Sequence, residues 1–431
     1  MNPLQMIINK VRRLEALFPG YFEDAKHSHY KDFGWPQSVT FAQLYAMYNR
    51  NGLARAGVEK TVLKTWQDAP ELWESEDPAE SQTEKEIRQR FDDLRLWQAL
   101  ASADRRALVG GWSGVILRLR DDKAFDQPVD RVRGGLDGLA EVIPAWGGLG
   151  AQLEVAEWET DQWLETYGQP KMFKFTESAV GQSQQQTRQF HVHPDRVLVW
   201  SEDGTVHARS LLEPGYNDLM DAEKVKGAGG EGFWKTARGS LALEADKDVD
   251  LAKMAQAMGV PPTELADAMN DQVEDFQKGF DKMLALQGMT AKTLPIQLPS
   301  PEHFFAIAVQ SFAASINIPV KILIGNQTGE RASTEDARDW AQSNNARRVN
   351  FCRPLIGTFV QRMERFGILP ERDWHIHWAD LTEAGLAEKI ERAAKMAEIN
   401  QKLGMYPAFD PDEIRQVAGY DAPLPSPEDD E

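Results

Sequence analysis

The stretch SFAASINIPVKILIGNQTGERASTEDARDWAQSNNARRVNFCRPLIGTFVQRMERF, from Ser311 to Phe366, decides the fold. Its early part contains the short apolar run Ile318–Ile324, and the chain then turns polar from Gly325 to Arg331. Ser333-Thr-Glu-Asp336 has the pattern of a capping box, which predicts a long helix that ends at about Phe366. At about 1.5 Å per residue, this helix would span about 50 Å.

The polar loop joins the apolar run to the predicted long helix. Its two glycines, Gly325 and Gly329, permit backbone movement. The residues alone favour a simple connector between a strand and a helix. Pro354 lies inside the predicted helix and is expected to kink it, because proline removes one backbone donor.

Helical and strand patterns alternate along the rest of the chain, which predicts an α+β fold. Apolar residues at three- and four-residue spacing predict one helix from about Ser81 to Val109. Trp112–Arg120 is predicted to be a strand, and Val142–Trp200 is rich in short strand patterns. Further helices are predicted over Leu211–Trp234, Asp248–Gly259, Thr263–Gln287, Ser300–Ile316, Thr382–Leu403 and Asp410–Gly419, and Pro423–Glu431 is expected to be a disordered acidic tail.

The composition is that of a globular chain long enough for two or three domains. Of its 431 residues, 42% are hydrophobic and 27% are charged, and neither value suits a disordered chain. The net charge is −19, and Lys and Arg cluster only in short pairs such as Arg347-Arg348. Firm binding of nucleic-acid phosphates is therefore disfavoured, whereas passage of DNA without adhesion is not.

Cysteine usage and hydropathy restrict the compartment. Cys352 is the single cysteine, which excludes an internal disulfide and favours a reducing environment. The segment Met1–Arg13 has no basic region followed by the apolar region of a signal peptide. No stretch approaches the roughly 18 consecutive apolar residues of a membrane span. We therefore expect a protein that is made in the cytosol and has no membrane partner.

Two His-x-His pairs raise the alternative of a metal-dependent hydrolase. Alternate residues of a strand face the same side, so each pair could bind zinc. No His-Glu-x-x-His or other dense ligand motif is present, and ordinary strand histidines are the favoured interpretation, with no metal and no cofactor. The candidate ligands of the alternative are His191, His193, His375 and His377, and Asp195 and Asp380 could complete its site.

Two further motifs do not support an enzyme. Gly227-Ala-Gly-Gly-Glu-Gly232 has the spacing G-x-G-x-x-G, but it follows a helical pattern rather than a strand. These small residues are better explained by close helix packing or by a break in the helix. Ser113 lies in Gly111-Trp-Ser-Gly114, where the second glycine comes one position too early for a nucleophile elbow. We therefore predict no catalytic residues.

Three stretches together resemble tailed-bacteriophage portal proteins, the head–tail connector family. The resemblance extends from about Asp161 to Gly419, and residues 1–80 carry none of it. The matching segments are Ile316-Asn-Ile-Pro319, Ile322-Leu-Ile-Gly325, Ala332-Ser-Thr-Glu-Asp336 and Arg353-Pro-Leu355 in the first stretch; Tyr167-Gly-Gln-Pro170 and His193-Pro-Asp-Arg196-Val-Leu in the second; and His377-Trp-Ala-Asp-Leu381, Ala387-Glu-Lys-Ile390 and Asp412-Glu-Ile-Arg415 in the third.

The resemblance implies the portal fold, with wing, stem, clip and crown regions. It also implies that a tunnel loop projects into the central channel, formed by Asn326, Gln327, Thr328, Gly329, Glu330 and Arg331. By position, it assigns residues 1–110 to a mainly helical wing part, 111–208 to a β-rich wing and clip region, 209–290 to the stem helix and following helices, 291–332 to a wing segment with the tunnel loop, 333–367 to the long wing helix, 368–420 to a helical crown and 421–431 to the tail.

The same resemblance implies a function without enzymatic activity. Portal subunits form a ring, usually a dodecamer, at one capsid vertex, and double-stranded DNA is packaged and ejected through it without sequence-specific binding. Terminase docks first and a head–tail adaptor later, while the major capsid protein surrounds the ring. The protein would be made in the host cytoplasm and end in the virion. A capsid assembly protein that is not a portal is a third possibility.

Overall fold

Helices and strands alternate in the computed structural model, which describes residues 28–75, 81–177, 188–238, 241–245, 251–268, 271, 289–293, 300–325, 330–382, 386–404 and 407–420. The helices are α1 (His29–Phe33), α2 (Phe41–Arg50), α3 (Gly52–Thr65), α4 (Gln82–Asp93), α5 (Leu96–Gly110), α6 (Tyr216–Arg238), α7 (Leu251–Met258), α8 (Glu302–Ser315), α9 (Val320–Ile324), α10 (Glu330–Arg347), α11 (Arg353–Arg365), α12 (Leu386–Leu403) and α13 (Pro411–Val417). The strands are β1 (Glu71–Trp73), β2 (Trp112–Leu119), β3 (Leu139–Trp146), β4 (Leu153–Trp158), β5 (Pro170–Glu177), β6 (Arg188–Val192), β7 (Val197–Ser201), β8 (Leu241–Ala245), β9 (Met289–Thr293) and β10 (His375–His377).

The chain divides into two compact units. The first unit comprises the described residues of Met1–Val39 and Leu212–Val320, and the second comprises those of Thr40–Leu211 and Lys321–Glu431. Each unit contains both helices and strands, which confirms the predicted α+β class. No helix among the described residues is long and apolar enough to cross a membrane.

The second unit is organised around strand β2, which lies between β3 and β7 in an antiparallel sheet. Both faces of β2 are buried, so its sequence is a nearly continuous apolar run. Val115 and Leu117 pack into a core with residues of α4, α5 and α11. Trp112 and Ile116 point to the opposite face and pack against Phe173 of a second sheet, which has the order β4-β5-β6.

The helix predicted over Ser81–Val109 is two helices. Helix α4 begins with a capping box formed by Ser81 and Glu84, and α5 begins after Arg95. Arg95 has φ of 51°, in the left-handed region, so the helix cannot continue through it. The bend brings Phe91 and Trp97 into an edge-to-face contact, with ring centroids 5.7 Å apart. The chain therefore forms two helices that pack through these aromatic rings, and not one continuous helix.

The long C-terminal helix is present, but it starts earlier than predicted. Helix α10 begins at Glu330, so Ser333–Asp336 lies inside it and does not open it. A π-helical turn, Arg348–Cys352, follows, and α11 continues to Arg365. Pro354 lies in the first turn of α11. Because proline lacks the backbone donor and its ring crowds the preceding turn, the irregular turn falls directly before it.

The apolar run Ile318–Ile324 is not a strand, which corrects the strand-to-helix interpretation. Its second part forms the short helix α9, and Gly325 N donates to Lys321 O at 2.8 Å. Pro319 precedes the helix, and a proline there is compatible with a helix start because its φ is already helical. The loop therefore joins two helices.

The first unit contains the antiparallel pair β8–β9, which the sequence did not reveal, and two packed helices, α6 and α8. Gly215 lies against Phe312 and Ser315, and Ser311 Oγ donates to Asp218 at 2.9 Å. Helix α6 begins at Tyr216 rather than Leu211 and continues through residues 227–232 without a break. A Cβ placed on Gly229 would lie at an ordinary contact distance of 3.5 Å from Pro301, and the space around Gly227 and Gly230 is open, so close packing does not require these glycines.

The remaining helix predictions differ in outcome. Helix α7 confirms the central part of the helix predicted over Asp248–Gly259, whereas most of Thr263–Gln287 lies outside the described residues. Helix α12 ends before Gly404, which has φ of 68°, and α13 begins with a capping box of Asp410 and Glu413, both as predicted. The predicted acidic tail lies outside the described residues.

Candidate functional site

The loop singled out from the sequence is described only at its two ends. Asn326, Gln327, Thr328 and Gly329 lie outside the described residues, while Glu330 and Arg331 belong to the first turn of α10. The candidate site therefore comprises the residues that hold the two ends of the loop in place.

Gly325 fixes the direction in which the chain leaves α9. Its φ is +81°, a conformation that side chains with a Cβ rarely adopt. The space around it is open, because the nearest atom to a Cβ placed there is Lys60 Nζ at 4.0 Å. Glycine is thus required here by the backbone angle and not by a close contact.

Lys60 holds the end of α9 from helix α3. Its ammonium donates to the carbonyl of Leu323 at 3.2 Å and also to the carbonyl of Ile322. These carbonyls belong to the last turn of α9, where a positive charge is favourable because the helix dipole is negative. Lys321 and Asp336 form an ion pair at 3.9 Å between the two sides of the loop. The contacts of Lys60 could not be predicted, because more than 260 residues separate the partners.

Helix α10 is joined to the end of α3 by a buried polar contact. Thr65 Oγ1 donates to Asn344 Oδ1 at 3.0 Å, and Asn344 Nδ2 donates to Trp340 O at 2.8 Å. Thr65 and Asn344 are both buried, so the two hydrogen bonds satisfy groups that have no access to water. The contact fixes the rotation of α10 against the end of α3.

A buried ion pair lies where α10 meets the π-helical turn. Arg347 donates two hydrogen bonds to the carboxylate of Asp104, at 2.5 and 2.9 Å. Asp104 is fully buried and also accepts from the indole nitrogens of Trp66 at 2.9 Å and Trp200 at 3.2 Å. The carboxylate therefore has four donors, which compensates for its removal from water.

The next residue, Arg348, makes a second ion pair. It donates to the Asp68 carboxylate at 2.5 Å and to the carbonyls of Thr65 at 2.6 Å and Ala379 at 2.7 Å. Its guanidinium also lies over the Trp378 ring, 4.5 Å from the centroid. Arg348 is buried, so the sequence pair Arg347-Arg348 is a structural feature and not a basic surface.

The electrostatics of this region keep its thiol unreactive. Cys352 is buried, and burial raises the pKa of its thiol well above the usual range, against the lowering effect of Arg347. Burial alone would lower the pKa of Arg347, but the Asp104 carboxylate outweighs it, so the pKa is raised. Arg347 therefore stays charged and Cys352 stays protonated, which gives the site no nucleophile.

Three of the four histidines of the His-x-His pairs lie on strands, and His193 directly follows β6. His191 is exposed on β6 opposite Lys174. His375 and His377 are exposed on β10, and the ring of His377 stacks on Trp73 at a centroid distance of 3.9 Å. Throughout the described ranges, no group of three or more His, Cys, Asp or Glu residues could hold a metal ion. Nothing in this geometry favours the hydrolase alternative.

The two carboxylates of that alternative have other partners. Asp195 accepts from Arg365 at 2.5 Å and from the backbone of Val129 at 3.1 Å. Asp380 accepts from the backbone and hydroxyl of Thr382, each at 2.7 Å. Both carboxylates therefore stabilise local structure.

His193 is neutral near pH 7. Its Nδ1 accepts from the backbone N–H of Asp195 at 3.2 Å, which only an unprotonated ring nitrogen can do. Burial lowers the pKa of His193, and the nearby Asp195 carboxylate opposes this only in part. The 3.3 Å approach of His193 to Asp195 is consequently not an ion pair at neutral pH.

Two further sequence motifs also have structural roles. The hydroxyl of Ser113 is buried and donates to Ala103 O at 2.7 Å, so it is no nucleophile. Arg196, from the His193–Leu198 segment, is buried and pairs with Asp121 at 2.6 Å. Neither residue is available to a substrate.

Comparison with known proteins identifies one family. The family described as "Phage portal protein" matches residues 42–402. Among solved structures, a chain of the neck of a native GTA particle, computed with C12 symmetry, is 13% identical with a TM-score of 0.45, and the match covers 87% of this chain and 92% of that chain. A chain of the neck of an empty GTA particle, computed with C6 symmetry, is 14% identical with a TM-score of 0.46, covering 89% and 94%. A chain of the virion of a native gene transfer agent particle is 14% identical with a TM-score of 0.43, covering 89% and 94%. No curated protein matches the chain.

Replacing Asp104 by Asn is expected to destabilise the second unit. Asp104→Asn leaves the buried Arg347 charge without its counter-ion, which typically costs about 3–5 kcal/mol. Urea unfolding followed by tryptophan fluorescence measures the change. Lys402→Ala, which removes an exposed ion pair with Glu398, is the control and should leave the midpoint unchanged. An unchanged midpoint for Asp104→Asn would contradict the role given to the pair.

His193 is expected to make the protein less stable in mild acid. Its pKa is lowered in the folded state, so the unfolded chain binds the proton more readily. Its contribution to stability is therefore lost as the pH falls below the unfolded value of about 6.5. His193→Asn keeps a capping acceptor but removes the titration, so melting temperatures measured between about pH 7 and 5 should fall less than in the wild type. His191→Asn, at an exposed position, is the control; if both variants follow the wild-type curve, this interpretation is wrong.

Proposed function

The chain belongs to the phage portal protein family, and on this premise we propose that it is the subunit of a ring-shaped channel at one capsid vertex, through which double-stranded DNA is packaged and ejected. The observation that carries the proposal is the family match over residues 42–402, which includes residues of both units.

Apolar side chains on the first unit support assembly with further copies of the chain. Phe233 and Trp234 on α6 are 72% and 56% exposed, and Phe304 and Ile307 on α8 are 60% and 50% exposed. The two helices pack against each other, so their exposed side chains belong to one helical pair. Exposed apolar surface of this kind is typical of protein interfaces. We propose that neighbouring subunits cover it in a ring, which would be a dodecamer as in the family the sequence resembles.

The charge of the chain suits a channel that DNA passes through without adhering. The net charge is −19, and like charges repel the phosphates of DNA. The pair Arg347-Arg348 is engaged in internal ion pairs and does not supply a phosphate grip. Movement of the DNA would depend on the ATP-hydrolysing terminase, which docks on the ring.

The loop between α9 and α10 is proposed to be the tunnel loop. Its role rests on the position of Asn326–Arg331 in the portal-like stretch and on the contacts at its two ends. Lys60 holds the end of α9, and the Lys321–Asp336 ion pair joins the two sides of the loop. Glu330 would repel passing phosphates and Arg331 would attract them weakly.

The regional assignments follow the same proposal. Residues 1–110 would form a wing part, 111–208 a wing and clip region, 209–290 the stem helix and following helices, 291–332 the wing segment with the tunnel loop, 333–367 the long wing helix and 368–420 the crown.

The remaining partners are other proteins of the particle. We propose that a head–tail adaptor replaces terminase after packaging and that the major capsid protein surrounds the ring. The protein would be structural and need no cofactor, and it would reside at the capsid vertex of the virion after synthesis in the host cytoplasm.

The purified protein is expected to form a large ring with an open centre. The subunit mass is 48.5 kDa, so light scattering should give a mass close to twelve times that value. Negative-stain images should show a central hole, which a capsid assembly protein of another kind would lack. A stable monomer at moderate concentration, both alone and when capsid proteins are co-expressed, would contradict the proposal.

Changes in the loop are expected to impair DNA packaging or retention while rings still form. Shortening Asn326–Arg331, or replacing Gly325 and Gly329 with Val, restricts the conformations of the loop. Rings are counted in negative stain, and packaged genome length is measured in a phage complemented with each variant.

The control variant is Gly150→Val. Gly150 has φ of +77° with open space around it, so this change strains another exposed turn to a similar extent. Normal packaging in Gly150→Val and a defect in the loop variants would support the proposal. Normal packaging in both would reduce the loop to a connector, and loss of rings only in the loop variants would assign it to assembly.

A further inference from the structure

A loop in the second unit exposes three large apolar side chains. Residues 159–169 connect β4 to β5, and within them Trp163 is 86% exposed, Tyr167 59% and Leu164 49%. Scattered single apolar residues are common on protein surfaces, but three within five positions form a patch. Trp and Tyr are also the residues most enriched among the energetic centres of interfaces.

The loop is held in one conformation by its own hydrogen bonds. Glu159 N donates to Gln169 O and Gly168 N donates to Glu159 O, both at 2.9 Å, which closes the base. Within the loop, Tyr167 N donates to Leu164 O at 3.0 Å, and Asp161 Oδ1 accepts from Trp163 N at 3.0 Å. A preordered loop loses little conformational entropy when it binds, so its aromatic residues are ready for a partner.

The loop is also uniformly acidic. Between residues 157 and 169 the chain has four carboxylates, Glu157, Glu159, Asp161 and Glu165, and neither Lys nor Arg. The closest lysine in sequence, Lys171, lies 3.4 Å from Glu159. Apolar side chains surrounded by negative charge fit a surface with an apolar centre and a positive rim.

A cavity lies beside the base of the loop. It has a volume of about 360 Å³ and is lined by Gly168, Pro170, Phe173, Val199 and His207, among others. Trp158, the last residue of β4, stacks on the His207 ring with centroids 5.4 Å apart. The surface therefore combines a projecting aromatic loop with an adjoining recess, which gives it a shape that a partner can match.

We propose that the 159–169 loop is a docking surface for a different protein, which inserts Trp163 and Tyr167 into an apolar pocket rimmed by Lys and Arg. The inference rests on the proposed function only because that function places other proteins around the ring. It adds which surface of this chain one of those proteins contacts, and the chemistry of that contact. A second copy of this chain is the poorer occupant, because its net charge of −19 opposes an acidic loop. DNA is excluded by the same repulsion.

Photo-crosslinking in assembled particles tests which molecule covers the loop. Trp163 is replaced by p-benzoylphenylalanine, the particles are irradiated, and the cross-linked peptides are identified by mass spectrometry. The expected product joins residue 163 to a peptide of another particle protein in which apolar residues are flanked by Lys or Arg. The same photoreactive residue at Leu149, which is 90% exposed on the neighbouring turn, is the control and should not give this product.

Substitutions measure the contribution of the loop. The double variant Trp163→Ser, Tyr167→Ser should reduce the fraction of particles that contain the ring by about tenfold or more, whereas Leu149→Ser should not. Glu165→Lys should reduce it as well, because it reverses one charge of the acidic loop. Ring mass in light scattering should stay unchanged in all three variants, since the altered side chains are exposed.

The outcomes separate this inference from the proposed function. Rings and particles that form normally in the double variant would overturn the docking role while leaving the channel intact. Cross-links only to other copies of this chain, only to DNA, or to nothing in ring-containing particles would also overturn it. Failure of the wild type to form rings would instead count against the proposed function.

Discussion

The buried ion pair between Arg347 and Asp104 is the interaction on which the second unit depends. It joins α5, which carries Asp104, to the end of α10, and two tryptophans from other elements donate to the same carboxylate. A buried charge is tolerated only when its partner and its hydrogen bonds are all in place. The long helix, the sheet and α5 are therefore fixed relative to one another at a single point inside the unit.

The buried charged residues that stabilise this unit are thus distinct from the charged residues on its surface. Arg347 and Arg348, an arginine pair that could have contributed to a phosphate-binding surface, are turned inward, toward Asp104 and Asp68. An acidic excess is left for the rest of the protein, with a net charge of −19. Such a chain repels DNA in general while it can still attract basic protein surfaces at chosen places, such as the loop around Trp163.

Local signals in the sequence predicted the parts of the fold that local physics controls. The apolar residues of Trp112–Arg120 predicted strand β2, and the residue pattern from Asp410 to Glu413 predicted the start of α13. The break at Arg95 and the helix at Val320–Ile324 were not predicted, because packing of Phe91 on Trp97 and a proline-initiated turn outweighed residue pattern. The contact of Lys60 with α9 joins distant parts of the chain, which no local pattern encodes. The loop at Asn326–Arg331 was found by resemblance and stays a prediction.

The π-helical turn at Arg348–Cys352 determines how α10 is rotated about the helix axis relative to α11. A turn of this kind holds one residue more than an α-helical turn, so it rotates the two helical segments by about 100° relative to a regular helix. The apolar face of α11 is fixed by the core through Ile356 and Phe359. Glu330, at the start of α10, lies about 27 Å along the helix axis from this π-helical turn. Loss of the extra residue would therefore turn Glu330 and the attached loop toward a different side of the protein, although no residue of the loop had changed.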